Sequence, residues 1–525
     1  MIQTTDIIIV ILYIMAIVAI GLWAGLKKDK GSKDYFLAGK SLRWPMIGLA
    51  LFATNISCLH LVSLAQSGYD DGLLSGNFEW MAAFTLILLA LFFAPFYIRS
   101  GISTLPDFLE KRYNRACRDW LTLISIVSAI TIHIAFSLLT GGIVLETLFG
   151  IDMYTSVTVI ACITAVYTII GGLRAVVVTE SIQTVVLVAG AVIITVACFH
   201  KMGGWYAMTD VLQEQGALYK LSMLRNDGSL PWYAVFLGYP VIGIWYWCAD
   251  QTIVQRILGA KDENNARLGP LFCGFIKILP VFIFILPGLF AATLAQKGLL
   301  QAPKDSKGIY TVMITQLVPS GLAGIIVAAL LSGLMSQVSG ALNSISTLVS
   351  FDLYKRLKPT ASDKQLVMMG RISAAVALLL SILLLPLLNS YNSIFNGVND
   401  IISHIAPPIT CVFLLGIFWS RASAKAAQLT LLIGSLLGAL VYTVNKLYPA
   451  TTFAHIPFMM MAFYLFVICL IIQVSFSLVY PMQHTGVSAT LYWRSPMEPL
   501  KNKGSYKILS ALLLLVMTIL YLIFK

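Results

Sequence analysis

Lys277 stands in CGFIKILPVFIF, about ten residues into a long apolar run. An ammonium at that depth costs about 2.5–3.5 kcal/mol on insertion scales unless it is paired or hydrated, so the position demands a partner or a ligand. Other polar side chains occupy similar company. Asn55 and His60 lie in ATNISCLHLVSLAQSGY, where interhelical hydrogen bonding and solute binding both fit. Glu79, in GNFEWMAAF, is near one end of its run and could equally reach the headgroups. Trp245, Tyr246 and Trp247 are consecutive; aromatic faces line sugar and amine sites, and they also simply pack. GLMSQVSGALNSISTLVS places seven small hydroxyl or amide residues from Ser336 to Ser350, besides Gln337. Small residues there allow close helix approach, and hydroxyls facing unwound backbone carbonyls would suit a hard cation such as sodium. There is no HExxH, no Gly-rich phosphate loop and no Ser-His-Asp set on one membrane face, so an enzyme is not expected.

The elements that must hold these groups are membrane helices. The chain has 525 residues, 58% hydrophobic and 11% charged, against about a quarter charged in a soluble domain. Apolar runs of helix-spanning length recur throughout and are too uniform for barrel strands. They predict fourteen spans: 7–26, 45–67, 78–98, 120–147, 153–171, 175–198, 231–256, 268–294, 319–350, 370–388, 399–419, 426–444, 458–480 and 507–524. The first lacks the basic flank and cleavage site of a signal peptide and is expected to be retained. A short surface helix is expected within 102–115, after Pro106, packed under the bundle.

The net charge of +12 is a matter of topology. Of 35 Lys and Arg, 26 fall in alternate loops beginning with 27–44, eight in the other loops and at the C-terminus, and one, Lys277, in a span. Loops rich in Lys and Arg stay cytoplasmic. Both termini are therefore expected outside an inner or plasma membrane, and no nucleic-acid partner is expected. Seven of the eight cysteines fall in spans and Cys117 is cytoplasmic, so no structural disulfide is predicted. Nothing in the sequence sets an oligomeric state.

Two spans carry helix-breaking or polar residues at mid-membrane: the second, with Asn55-Ile56-Ser57, and the seventh, with Pro240, Gly243 and the aromatic run. Such backbone survives only against protein or beside a cavity. Five spans separate them. A five-helix unit starting at each would run in opposite directions across the membrane, which is the inverted repeat of many secondary transporters.

The chain also resembles a known family, the sodium/solute symporters, in their sodium–glucose cotransporter branch. The resemblance runs from about residue 33 to the end. It is carried by DYFLAGKSLRWP, ATNISCLHLVSLAQSGY, FEW at 78–80, YTIIGGLRAVVVTESIQ, LPW at 230–232, WYWCADQTIVQRILGAK, CGFIKILP, the LNS, STL and DLYK of 342–355, and APPITCVFLLGIFW. It implies an all-α, LeuT-like, five-plus-five inverted-repeat core, with 45–198 and 231–419 as the halves, 7–26 as an extra N-terminal helix and 426–524 as extra C-terminal helices. It also implies sodium-driven import of a neutral monosaccharide by alternating access, with no further cofactor. Inositol or another small solute is the alternative cargo, and a non-transporting sugar sensor is disfavoured because no cytosolic output domain is evident. Sugar contacts would be Asn55, His60, Glu79, Tyr246, Trp247, Lys277 and Asn399. Gates would be Leu64, Phe78 and Phe395 outside and Tyr246 inside. Sodium would be held by backbone carbonyls of Ala53, Ile56 and Gly333, the Ser336 hydroxyl and Gln337. Two positions depart from the family pattern: Gln337 replaces a sodium-binding Ser, and Asn399 replaces a sugar-binding Gln. Glu180 stands where Asp is usual.

Overall fold

A computed structural model describes residues 3–26, 31–227, 230–319, 321–388, 394–449, 455–482, 488, 490–495, 497–500 and 504–525, and of 394–396 the backbone alone. Its described residues form helices and connecting turns without strands; an isolated bridge joins Leu42 to Ala260. Every backbone group that crosses lipid must be satisfied internally, and a helix does this within one segment.

Among the described residues, eleven helices are long and apolar enough to cross a membrane. The difference of three from the spans read in the sequence has local causes. Met153–Met202 is two helices joined without a loop, matching the predicted 153–171 and 175–198, and so counts once. Straight, it would be about 75 Å long, against a hydrocarbon core of about 30 Å. It is broken at Gly172, whose φ of 65° and ψ of −164° are foreign to side-chain-bearing residues, and a Cβ there would lie 2.5 Å from the Tyr35 carbonyl oxygen. The second predicted span is interrupted after Asn55, and its outer half continues into the third as Cys58–Arg99. The seventh is interrupted at Asp250, which leaves no single long helix there.

Burial sorts the helices into layers. The most apolar 18-residue stretch is 89% buried in Leu322–Leu357 and 78% buried in both Cys58–Arg99 and Glu263–Gln296, but only 17% in Thr4–Gly25 and 22% in Ser505–Ile523. The former make the protein-facing core, and the terminal helices present side chains outward, as Ile8, Leu12, Met15, Ile508 and Leu515 do. Thr4–Gly25 is nonetheless fastened to the core. Asp6 accepts hydrogen bonds from the backbone N–H of Gly321 and Gly324, both 2.7 Å, at the start of Leu322–Leu348. The predicted surface helix is Leu105–Arg112, started by a Thr104 cap. Its Arg112 is buried and donates to the carbonyls of Gly416, Trp419 and Ala422, tying it to the end of Ile394–Phe418 and the turn that follows.

Candidate functional site

The site begins with the break in the second span. Pro45 near its N-terminus starts Trp44–Asn55; Ile56 (ψ 99°) and Ser57 (ψ 173°) are extended, and Ser57 caps Cys58–Asp71. The last turn of a helix leaves carbonyls without intrahelical donors. One of them, Ala53 O, accepts the Ser336 hydroxyl at 2.8 Å, and the same hydroxyl lies 3.1 Å from Gly333 O. Gly333 also lies close against the break: a Cβ there would meet Cys58 N at 3.0 Å and Ile56 O at 3.3 Å. Ala53, Ile56, Gly333 and Ser336 therefore come together where a broken helix crosses the buried helix Leu322–Leu348. Gln337, one residue on, turns elsewhere.

The same break presents two side chains. His60 reaches back to its cap, its Nδ1 3.3 Å from Ser57 N and 3.2 Å from Ser57 Oγ. Asn55 accepts from Lys277 Nζ at 2.6 Å. Lys277 ends Glu263–Ile276 and precedes Pro280, which cannot donate to the helix ladder. Trp80 Nε1 donates to Ile278 O at 3.3 Å and fixes this turn. The Lys277 ammonium also pairs with Glu79, on the first turn of Gly76–Leu88; both residues are almost fully buried. Glu79 thus does not reach the headgroups, and Lys277 has two partners in the bundle. An ammonium has three donors, so these two oxygens leave it one more.

The wall opposite is aromatic. Trp232–Ile244 contains Pro240 and passes into a π-helical turn, Trp245–Ala249. Tyr97 donates to Cys248 O at 2.7 Å and so satisfies a carbonyl at this break. Trp247 lies with its ring centroid 5.8 Å from Lys277 Nζ and 5.2 Å from the Tyr246 ring. Between these walls is a cavity of about 100 Å³. Its lining includes all seven predicted sugar contacts: Asn55, His60, Glu79, Tyr246, Trp247, Lys277 and Asn399. Leu64 and Phe78 line it as well. Phe78 stacks on Phe458 at 5.8 Å and meets Tyr239 edge-on at 5.7 Å. The Phe395 side chain falls outside the described residues.

Gln337 also lines this cavity, beside His133. Its Nε2 is 2.6 Å from His133 Nδ1, and its Oε1 is buried without a partner. His133 Nε2 in turn lies 3.5 Å from Asp250 Oδ2, while Asp250 Oδ1 caps the next helix through Ile253 N at 3.2 Å. Sequence reasoning overlooked His133. The signal was an imidazole inside SAITIHIAF, an ionisable group at membrane depth. A further buried pair, Glu180 and Arg256, lies beside the helix break, with Thr54 Oγ1 donating to Glu180 at 3.1 Å.

Two broken helices, a mostly apolar cavity holding a paired lysine and a carbonyl–hydroxyl cluster make a site for recognition and movement of a solute. A model of one family, "Sodium:solute symporter family", matches residues 35–434. The chain belongs to the sodium:solute symporter family. It is 34% identical over 474 residues to sodium/glucose cotransporter 1 of Ovis aries, covering 83% of this chain and 71% of that one. It is 32% identical over 481 residues to a sodium/mannose cotransporter of Bos taurus, covering 86% and 81%. Among solved structures, a Na+-coupled sialic acid symporter in its substrate-bound outward-open state superposes with a TM-score of 0.81 over 92% of this chain and 100% of that one. Its sequence identity is 22%, so that likeness speaks to the fold.

Proposed function

We propose that this symporter imports a neutral monosaccharide together with sodium by alternating access. The observation that carries the reading is Lys277, held by Asn55 and Glu79 in a cavity faced by Trp247. The ammonium and the carboxylate cancel, so the wall offers charge-assisted hydrogen bonds without net charge. Sugar hydroxyls both donate and accept, and Glu79, Asn55, His60, Asn399 and the third Lys277 donor give them acceptors and donors in turn. Trp247 offers an apolar face to the ring's C–H groups. Names of relatives that carry glucose or mannose agree with this choice.

Sodium would sit at the cluster of Ala53, Ile56 and Gly333 carbonyls and the Ser336 hydroxyl. Four neutral oxygens suit a hard monovalent cation, with the hydroxyl proton turned outward. An ion there braces the broken helix against Leu322–Leu348 and favours one orientation of the bundle, to which the sugar adds. Sodium entry supplies about 2.3 kcal/mol per charge per 100 mV, besides its gradient. Residues 45–198 and 231–419 are the two inverted repeats, Tyr246 the inner gate, Leu64, Phe78 and Phe395 the outer one. The test is uptake of labelled hexoses and myo-inositol into proteoliposomes, with sodium, lithium or a proton gradient imposed in turn. Hexose accumulation that needs sodium is the expected result. Accumulation of inositol alone makes the cargo a polyol, and uptake indifferent to sodium removes the coupling.

A further inference from the structure

Gln337 stands at the position that the family resemblance gives to sodium, yet its side chain lines the solute cavity and bonds His133. We infer that Gln337 is a sugar-specificity residue, its amide oxygen presented to a solute hydroxyl by an orienting chain from Asp250 through His133. The inference rests on the sugar reading above and names a further contact in the same site.

The argument is one of hydrogen polarity. A neutral imidazole has one N–H and one bare nitrogen, and the partner of one nitrogen sets the role of the other. Asp250 Oδ2 lies 3.5 Å from His133 Nε2 without a hydrogen bond between them, and a carboxylate that near, an acceptor only, favours through its charge the tautomer with the proton on Nε2. Nδ1 is then an acceptor. The Gln337 group 2.6 Å from it must therefore be the amide N–H, which leaves Oε1 turned away from His133. That oxygen is buried and has no partner among the described residues. A hydroxyl is the donor that a polyhydroxy solute brings. Asp250 is itself immobilised by capping Gln251–Leu258, so the chain starts from a fixed point at the second helix break. Ser336, the preceding residue, lies with the carbonyls of the first break. Consecutive residues of one helix thus serve ion and sugar.

The test uses the full-length protein in proteoliposomes. Labelled D-glucose, D-galactose and D-mannose are offered to the wild type first, and the monodeoxy analogues of the best one are used as competitors. One deoxy position should weaken competition about three- to tenfold in the wild type, the loss of a single hydrogen bond, and should cost nothing in Gln337→Leu. Asp250→Asn keeps a helix cap but no longer dictates the tautomer, and should blunt the same discrimination at the same position. The sodium concentration for half-maximal uptake should stay put in both. If Gln337→Leu does not reach the membrane, Gln337→Asn, which withdraws the oxygen by one methylene, is read instead. A shift in sodium dependence with deoxy discrimination intact makes Gln337 an ion ligand and overturns the inference. Wild type that takes up none of the three hexoses overturns the sugar reading and the inference with it; wild-type uptake with unaltered discrimination in the variants overturns the inference alone.

Discussion

The Lys277 ammonium lies 2.6 Å from the Asn55 side-chain oxygen, although 222 residues separate them in the chain. The bond ties the broken helix to the segment that also faces Glu79, so Lys277 serves packing and recognition together. The two roles separate by charge. Lys277→Met leaves the Glu79 carboxylate buried and alone, and truncating one partner of a buried pair costs about 3–5 kcal/mol. Surface level should fall steeply. Lys277→Met with Glu79→Gln removes both charges and should restore much of the surface level while sugar affinity stays lost. Surface biotinylation and labelled-hexose uptake on the same cells read both; regained affinity in the double variant would make the pair structural only.

Trp247 is expected to act on sugar affinity. It is 1% exposed overall, yet it lines the cavity next to Lys277. Trp247→Ala removes the flat apolar face; Trp247→Phe keeps most of it. We expect half-saturation to rise about tenfold or more in the first and a few-fold in the second, because one aromatic contact carries about 1 kcal/mol beyond its area. Equal loss of surface protein, with unchanged affinity in what remains, would place Trp247 in the core alone.

Much of this site was legible in the sequence because lipid makes polar residues conspicuous. Asn55, His60, Glu79 and Lys277 stood out against apolar surroundings, and they do line one cavity. The two helix breaks were legible for the same reason. Boundaries were less so. The break at Gly172 does fall between the predicted spans 153–171 and 175–198, but hydropathy did not show that the two helices meet there without a loop. Partner choice was also hidden: Gln337 is adjacent in sequence to Ser336, and only the helix rotation of about 100° per residue sends the two side chains to different tasks. His133 carried a signal that went unused.

Glu180 and Arg256 form a pair in which neither side chain is exposed. Thr54 donates to the same carboxylate, which links the pair to the last turn before the helix break. Glu180→Gln strands the guanidinium and should lower thermal stability in detergent by about 3–5 kcal/mol equivalent. Glu180→Gln with Arg256→Gln should recover part of it. A detergent melting series distinguishes this from a transport role, since a purely functional pair would leave the melting temperature of both variants at that of the wild type.

Orientation in the membrane follows from the basic loops. A tag before Asp6 and another after Lys525 should both be accessible to an impermeant reagent in intact cells, and a tag in the 358–362 turn should not. Labelling of either terminus only after permeabilisation would overturn an arrangement with both ends outside.

The cation cluster gives the last prediction. Ser336 supplies the hydroxyl, and the other oxygens are backbone, so only two substitutions probe it cleanly. Ser336→Ala removes one of four oxygens and, as a small change at a buried position, should leave the helix packing in place. Sodium should then be needed at about tenfold higher concentration, the worth of one hydrogen-bond-strength ligand, while sugar half-saturation at saturating sodium stays near wild type. Gly333→Ala acts by steric means. Its Cβ would lie 3.0 Å from Cys58 N and Ser57 C and 3.3 Å from Ile56 O, so the break must give by a few tenths of an ångström, enough to disturb the Ile56 carbonyl. Uptake should lose its sodium dependence, with sugar binding retained in equilibrium assays. Variants that alter sugar affinity at saturating sodium, and leave the sodium requirement untouched, would move the ion elsewhere.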